Sequence, residues 1–257
     1  MAYFVVPLAA FAASLLTLFS GFGLGTLLMP VVALFLPIEV AIASTAVVHL
    51  ANNVFKAILL GRHANADVFL RFGMPAVAAA FAGALVLGAL ADAAPLFEYA
   101  LFGRAHAITA VGLVTGLLVL FFVAVESSSR LERMTFDRRW LPAGGLVSGF
   151  FGGLSGHQGA FRSLFLLKAG LDKQAFVATG IVIAIAVDLA RTGIYGVRFF
   201  EARDSFDWPL VAAATLAAFL GAYLGARLLE KVTLAAVRAV VAALLVVIGL
   251  GLAAGLV

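Results

Sequence analysis

The chain contains no cysteine, which excludes disulfides and thiolate metal sites and leaves the redox compartment unreadable. Charge is scarce too. Asp, Glu, Lys and Arg make up 12% of the 257 residues and hydrophobic residues 64%, against roughly 25% charged in a soluble domain. A water-soluble domain is thereby excluded. Long runs such as Leu113 to Val125 and Val232 to Val257 also lack the period-two alternation of a spanning β-barrel, whose strands run about ten residues. Missing as well are the phosphate-binding pattern Gly-x-x-x-x-Gly-Lys-Ser/Thr and the catalytic patterns His-Glu-x-x-His and Gly-x-Ser-x-Gly, which argues against an ATP-driven pump and against an intramembrane enzyme. The apolar run through Leu8 to Ser14 has no basic region before it and continues past its small residues, unlike a signal peptide.

What remains is an all-α fold, a polytopic integral membrane helix bundle. Hydrophobic segments of about 18 to 25 residues give roughly eight to ten of them in a chain of this length. They lie near 3–19, 23–36, 39–61, 72–91 and 100–125, then near 142–154, 157–168, 174–197, 207–229 and 232–256. The one markedly polar connection carries Arg130, Arg133, Arg138 and Arg139 and is expected to be cytoplasmic. The expected division is a first transmembrane half at 1–125, a linker at 126–141 and a second half at 142–257.

The two halves are copies of one another at an offset of 135 positions. Ser20-Gly21 lies on Ser155-Gly156, Asn53 on Asp188, Lys56 on Arg191 and Gly61 on Gly196. After one residue is dropped, Phe72, Pro75 and Val77 to Ala80 fall on Phe206, Pro209 and Val211 to Ala214. Duplicated halves of apolar helices are a common way to build a central transport site. Counting two crossings for each pair of segments around a Gly-rich break inverts the halves. Arg62, Arg71, the linker arginines, Lys168, Lys173, Arg227 and Lys231 then fall inside, with Arg104, Arg198 and Arg203 outside. Inversion is the expected topology; one broken crossing per break would instead make the halves parallel, with a weaker excess of basic residues inside. The stretch from Gly23 to Leu36 would be only about 21 Å long as a helix, short for a core of about 30 Å, so re-entrant broken helices stay open.

Ionisable groups inside such segments are functional candidates by default. In the first half Thr45, His49, Asn52, Asn53 and Lys56 recur every three or four residues, along one helix face. The second half answers with Thr179, Asp188, Arg191, Thr192 and Tyr195. A bland reading competes: Lys56 and Arg191 lie close enough to the helix end to snorkel, Asp188 can pair with Arg191 three residues on, and His49 can be a structural histidine. Snorkelling accounts for the cations but not for Asn53 and Asp188 one turn deeper.

Two breaks interrupt the apolar runs: Ser20-Gly21-Phe22-Gly23-Leu24-Gly25 and Ser155-Gly156-His157-Gln158-Gly159. A helix starting after each would present unpaired N–H groups and a positive dipole end, which favour an anion. Lys56, Arg162 and Arg191 would supply the countercharge. Gly83/Gly88 and Gly221/Gly225 fit helix packing alone.

Ser20 to Pro30 and the stretch Gly145 to Gly153 running into Ser155 to Gly159 resemble the TauE/SafE family of membrane permeases over essentially the full length. The resemblance implies export of small anions, notably sulfite and organosulfonates, from bacteria. The second break departs from the usual Gly triplet with a following Pro: Gly156-His157-Gln158-Gly159-Ala160-Phe161-Arg162 suggests a subgroup with an extra cation and more hydrogen-bond donors.

The expected function is therefore a secondary transporter of the bacterial inner membrane that exports a sulfur-containing anion such as sulfite or sulfoacetate. Ser20, Gly21, Gly23, Asn52, Asn53, Lys56, Ser155, Gly156, His157, Gln158, Arg162 and Arg191 are expected to bind the anion, and Asp188 with His49 to link binding to a proton. A passive anion channel is the first alternative. A divalent-cation permease using His49, His157, Asp188 and Asn53 is the second, disfavoured by the neighbouring cations. No cofactor and no resident metal are expected. The expected partners are the substrate and the lipid bilayer, with no nucleic acid and with a homo-oligomer left open.

Overall fold

A computed structural model of the chain describes residues 1–20, 24–101, 103–128, 136–201, 206–228 and 235–256. The first five helices are α1 (Ala2–Ser20), α2 (Leu24–Ala33), α3 (Ile38–Leu60), α4 (Ala66–Ala91) and α5 (Ala110–Ser127). Next come α6 (Leu141–Ser155), α7 (Gly159–Leu166), α8 (Lys173–Glu201), α9 (Trp208–Leu228) and α10 (Ala235–Ala254). Their bounds follow the apolar segments of the sequence closely, with one exception. The segment expected at 100–125 begins as a two-stranded antiparallel hairpin, β1 (Phe97–Leu101) and β2 (Arg104–Ile108), and turns helical only at Ala110. Gly103, at φ 76°, makes the turn, a conformation glycine adopts without steric penalty.

Helix starts are set by local polar caps that satisfy otherwise unpaired N–H groups. The side chains of Asn65, Thr109, Asp172 and Asp207 accept from the backbone N–H of Val68, Gly112, Ala175 and Leu210 at 2.8 to 3.1 Å. Within α4 the stretch Phe69–Gly73 is π-wound, just ahead of Pro75, which has no N–H to donate. Four described helices, α3, α4, α8 and α9, are long and apolar enough to cross a membrane.

Glycines decide which helices touch. Gly145, Gly149 and Gly153 on α6 lie against the carbonyls of Phe72, Ala76 and Ala80, so close that a Cβ would stand 2.0 to 2.2 Å away. The ascending pairs make α4 and α6 parallel. Gly83 on α4 faces the Phe150 carbonyl in the same seam. Likewise α1 and α9 run parallel: Tyr3 Oη donates to Asp207 Oδ1 at 2.5 Å, and Gly221 faces the Phe11 carbonyl. The glycines read from sequence as packing residues, Gly83 and Gly221, thus sit at close approaches. In contrast α5 and α10 are antiparallel, Gly112 facing the Leu252 carbonyl and Gly116 that of Gly249.

The antiparallel pair α3 and α8 forms the centre. Past His49, which meets Asp188, the chain reaches Asn65, whose N–H donates to Thr179 Oγ1 at 2.8 Å. The end of α3 therefore lies beside the start of α8. At that end Arg138, just before α6, pairs with Asp67 at 2.6 Å, and Arg71 pairs with the same carboxylate at 2.9 Å. The opposite end gathers Tyr3, Asp207 and the β-hairpin, whose Tyr99 Oη donates to the Ala254 carbonyl at 2.7 Å. So α1 enters from one end and α6 from the other. Helices of 10 and 8 residues are about 15 and 12 Å long, too short to cross about 30 Å of hydrocarbon. Each returns to the end its hairpin came from, α2 leading into α3 and α7 into α8.

Candidate functional site

Asp188 is fully buried halfway along α8, and two elements besides its own supply its partners. His49 Nδ1 on α3 lies 2.5 Å from Oδ2, a short contact that ties the two helices together. Asn53, one turn on, brings Nδ2 to 3.4 Å from the same oxygen and 3.1 Å from His49 Nδ1. The other oxygen accepts from Arg191 Nε at 3.0 Å and Gln158 Nε2 at 3.5 Å. Among the described residues it is the only buried carboxylate. A charge at 0% exposure is tolerated only when its lone pairs are engaged, and here they are.

Arg191 is 1% exposed and reaches the second break. Its Nη1 lies 3.5 Å from the Gly152 carbonyl, and a Cβ on Gly156 would stand 2.6 Å from it. Gly156 ends α6 at φ 82°, so glycine serves there both the turn and the approach of the guanidinium. Nη2 sits 2.9 Å from Asp188 Oδ1 but off line, and its N–H groups have no hydrogen-bond acceptor.

The break itself is held by short polar contacts. Ser148 Oγ donates to the Gln158 carbonyl at 2.9 Å, and Arg162 Nη1 to Gln158 Oε1 at 3.4 Å. His157 stacks on Phe122 with centroids 5.0 Å apart. The Ser155 hydroxyl donates to the Phe151 carbonyl at 3.3 Å and so accepts from His157 Nδ1–H at 2.9 Å. That leaves Nε2, buried and without a partner. In the neutral ring Nε2 is an acceptor; once protonated it becomes a donor to an anion.

Lys56 belongs to a second group. With the Asn52 amide oriented to satisfy both its ends, its oxygen accepts from Lys56 Nζ at 3.2 Å and its nitrogen donates to the Ala218 carbonyl at 3.2 Å. Ser14 on α1 lies within 3.2 Å of the same amide. Lys56 also feels the positive charge of Arg162, itself half-buried beside Gly180 on α8. Because α3 and α8 run oppositely, Lys56 and Arg162 lie toward one end from the Asp188 centre and Arg191 toward the other.

The expected site residues thus fall into two linked groups, not one ring around a single point. His49, Asn53, Ser155, Gly156, His157, Gln158, Asp188 and Arg191 meet at the α3–α8 crossing and the second break, joined through Gln158 to Arg162; Asn52 and Lys56 stand apart. Of the first break, Gly21, Gly23 and the Ser20 side chain lie outside the described residues, as do Arg130, Arg133 and the Tyr195 side chain. Gly25, in the first turn of α2, is described: a Cβ there would lie 3.2 Å from the Gly156 carbonyl, so the two breaks touch. Sequence reasoning missed Ser14, Ser148 and Phe122. Only Ser148 left a signal, its place inside the Gly145–Gly153 pattern.

Apolar helices enclosing an ionic centre define a multi-pass membrane protein. Compared with known families, the chain matches Sulfite exporter TauE/SafE over residues 6–252, and it belongs to that family of transporters. Neither the curated proteins nor the solved structures gave a match.

Proposed function

We propose that this protein is a secondary transporter that exports a small sulfur-containing anion, sulfite or an organosulfonate such as sulfoacetate, across the bacterial inner membrane, with proton coupling. The observation that carries the reading is the charge balance of the buried centre. Lys56 and Arg162 on one side and Arg191 on the other flank a region whose one described buried carboxylate, Asp188, is engaged by Arg191 and His49. The excess positive charge, with unsatisfied N–H groups on Arg191, suits an oxyanion. A divalent cation would have to displace Arg191 from Asp188. His49 and Asp188, in contact at mid-depth, are the coupling pair in this reading.

The duplicated, inverted architecture belongs to the same proposal. Helix pairings support it: α1 on α9 and α6 on α4 are both parallel, while α3 on α8 and α5 on α10 are antiparallel, the pattern a two-fold axis in the membrane plane produces. Asn53 and Asp188, equivalent at the 135-residue offset, lie 3.4 Å apart, as residues on that axis would. Arg62, Arg71, Arg138 and Arg139 cluster at the α6 end, which is read as cytoplasmic.

Thermal unfolding of the purified protein with sulfite, sulfate, sulfoacetate, taurine, short carboxylates and divalent metals tests the reading, since a ligand bound only by the folded state raises the midpoint. A rise with a sulfur oxyanion, lost in Lys56→Ala and Arg191→Ala, is expected. A rise with metals alone would overturn it.

A further inference from the structure

The apolar core is divided, and the division does not follow the sequence halves. Among the described residues one core is built from α4, α6, α7 and α8: Phe72 and Ala76 of the first half pack with Leu141, Leu166, Ile183 and Val187 of the second. The other core joins α1, α2 and α3 to α9, with α5 and α10 alongside, and reaches α4 and α6 only in their last turns, at Ala84, Leu87 and Leu154. Apart from the α5–α10 pair, each core thus takes one helix from the opposite half of the chain, α4 in one case and α9 in the other.

Close backbone seams fasten each borrowed helix. Gly149 and Gly153 of α6 lie against the carbonyls of Ala76 and Ala80 on α4, and Gly221 of α9 lies against that of Phe11 on α1. No side chain separates the backbones there, so each core with its borrowed helix is one tightly packed body. The polar networks divide along the same line. Lys56 bonds Asn52, which reaches Ser14 on α1 and the Ala218 carbonyl on α9, all within the first body. Arg191 holds Asp188 and reaches the Gly152 carbonyl, while Ser148 holds that of Gln158, all within the second. At the centre the two bodies meet through His49 and Asn53 on Asp188, and through Gly25 against the Gly156 carbonyl.

We propose that the units that move against each other during transport are these two exchanged bodies, α1, α2 and α3 with α9 against α6, α7 and α8 with α4, and not the two halves of the chain. The inference rests on the transport reading above. Apolar cores and glycine seams resist division, whereas a few polar contacts are exchanged for those of a substrate or of water at little net cost. The ionic centre then lies on the moving surface, and the chain crosses from one body to the other at the tight turn Gly61–His63 and the extended Ala64.

Hydrogen exchange of the whole protein in detergent reads cooperative units without any cargo. Leu166→Ala truncates a side chain that is 1% exposed on α7. It should speed amide exchange about ten-fold or more through α4 as well as α6, α7 and α8, with α9 near the parent rate. Acceleration of the second half as a block, α9 included and α4 excluded, or of all helices equally, would overturn the proposal, as would an α4 that does not respond. Ile183→Val on α8, a smaller truncation, carries the test should Leu166→Ala not assemble. Motion is read from pairs of spin labels in lipid, on cysteines placed in a chain that has none. Leu85→Cys on α4 with Leu146→Cys on α6 spans the halves within one body and should give a single narrow distance. Leu85→Cys with Leu8→Cys on α1 spans the bodies within one half and should give a broad or double one. All three positions are exposed, and any other combination of distances overturns the proposal. Neither readout needs the cargo: exchanged bodies in a protein that binds no sulfur anion would keep this inference and remove the cargo reading.

Discussion

The polar faces of α3 and α8 pass each other at the same depth, yet they solve burial differently. On α8 the charges are matched: Asp188 and Arg191 pair three residues apart at 3.0 Å and are 0% and 1% exposed. On α3 the cation Lys56 meets a neutral carboxamide, Asn52, at 3.2 Å, and the histidine reaches across to the other helix for its acid. One face is largely self-compensating and the other borrows. The contrast teaches that a buried cation can be held by a neutral amide on one helix and by a carboxylate on the other.

The sharpest way to break this contrast is Asp188→Asn. With the carboxylate gone, Arg191 is left buried and uncompensated, a loss of about 3 to 5 kcal/mol read as a lower unfolding midpoint in detergent. Adding Arg191→Gln should recover most of that stability without recovering transport. A single variant as stable as the parent would show that Asp188 does not hold Arg191 in place. Next in size is Gly156→Ala. Its left-handed φ alone costs about 1 to 2 kcal/mol, and the new Cβ pushes on Arg191 Nη1 from 2.6 Å. Gly25→Ala at the other break is a fair control, because its Cβ meets only the Gly156 carbonyl at 3.2 Å and its site is helical. Equal losses from both would mean that the breaks are mechanically alike.

Lys56→Gln comes third. Removing a cation whose described partner is neutral gives up a hydrogen bond of about 1 to 2 kcal/mol, while midpoint shifts induced by sulfur oxyanions should vanish. If Lys56→Gln unfolds the protein as readily as Asp188→Asn, the borrowed-charge account of α3 fails.

Much of this was readable before any coordinates. Helix bounds followed from apolar runs, because in lipid each helix must satisfy its backbone internally and so ends where the polarity changes. The breaks were legible because glycine and serine clusters interrupt otherwise unbroken runs. Pairing partners were less so. Asp188 with Arg191 is a local spacing and was foreseen; His49 with Asp188 spans 139 residues and needed the fold. The β-hairpin was missed because Phe97–Leu101 and Arg104–Ile108 are short, and their alternation is diluted by alanine, so the apolar start of the next helix absorbed them. Ser14 and Phe122 were missed for a different reason. A single serine or phenylalanine in an apolar helix carries no period, and only packing gives it a role.

The smallest effect is expected where water screens the charges. Asp67 accepts from Arg71 at 2.9 Å and Arg138 at 2.6 Å, good geometry that joins the linker to the start of α4, but all three side chains are 45 to 58% exposed. Exposed pairs contribute about 0 to 1 kcal/mol, so Asp67→Asn should lower the unfolding midpoint only slightly. Raising salt from about 0.1 M to 1 M shortens the screening length from roughly 10 to 3 Å and should erase even that difference. Asp188 and Arg191, shielded from ions by the surrounding helices, should keep theirs. A salt-resistant loss in Asp67→Asn as large as that of Asp188→Asn would mean that the two regions differ in depth but not in function, and that the linker clamp, not the buried centre, holds the halves together.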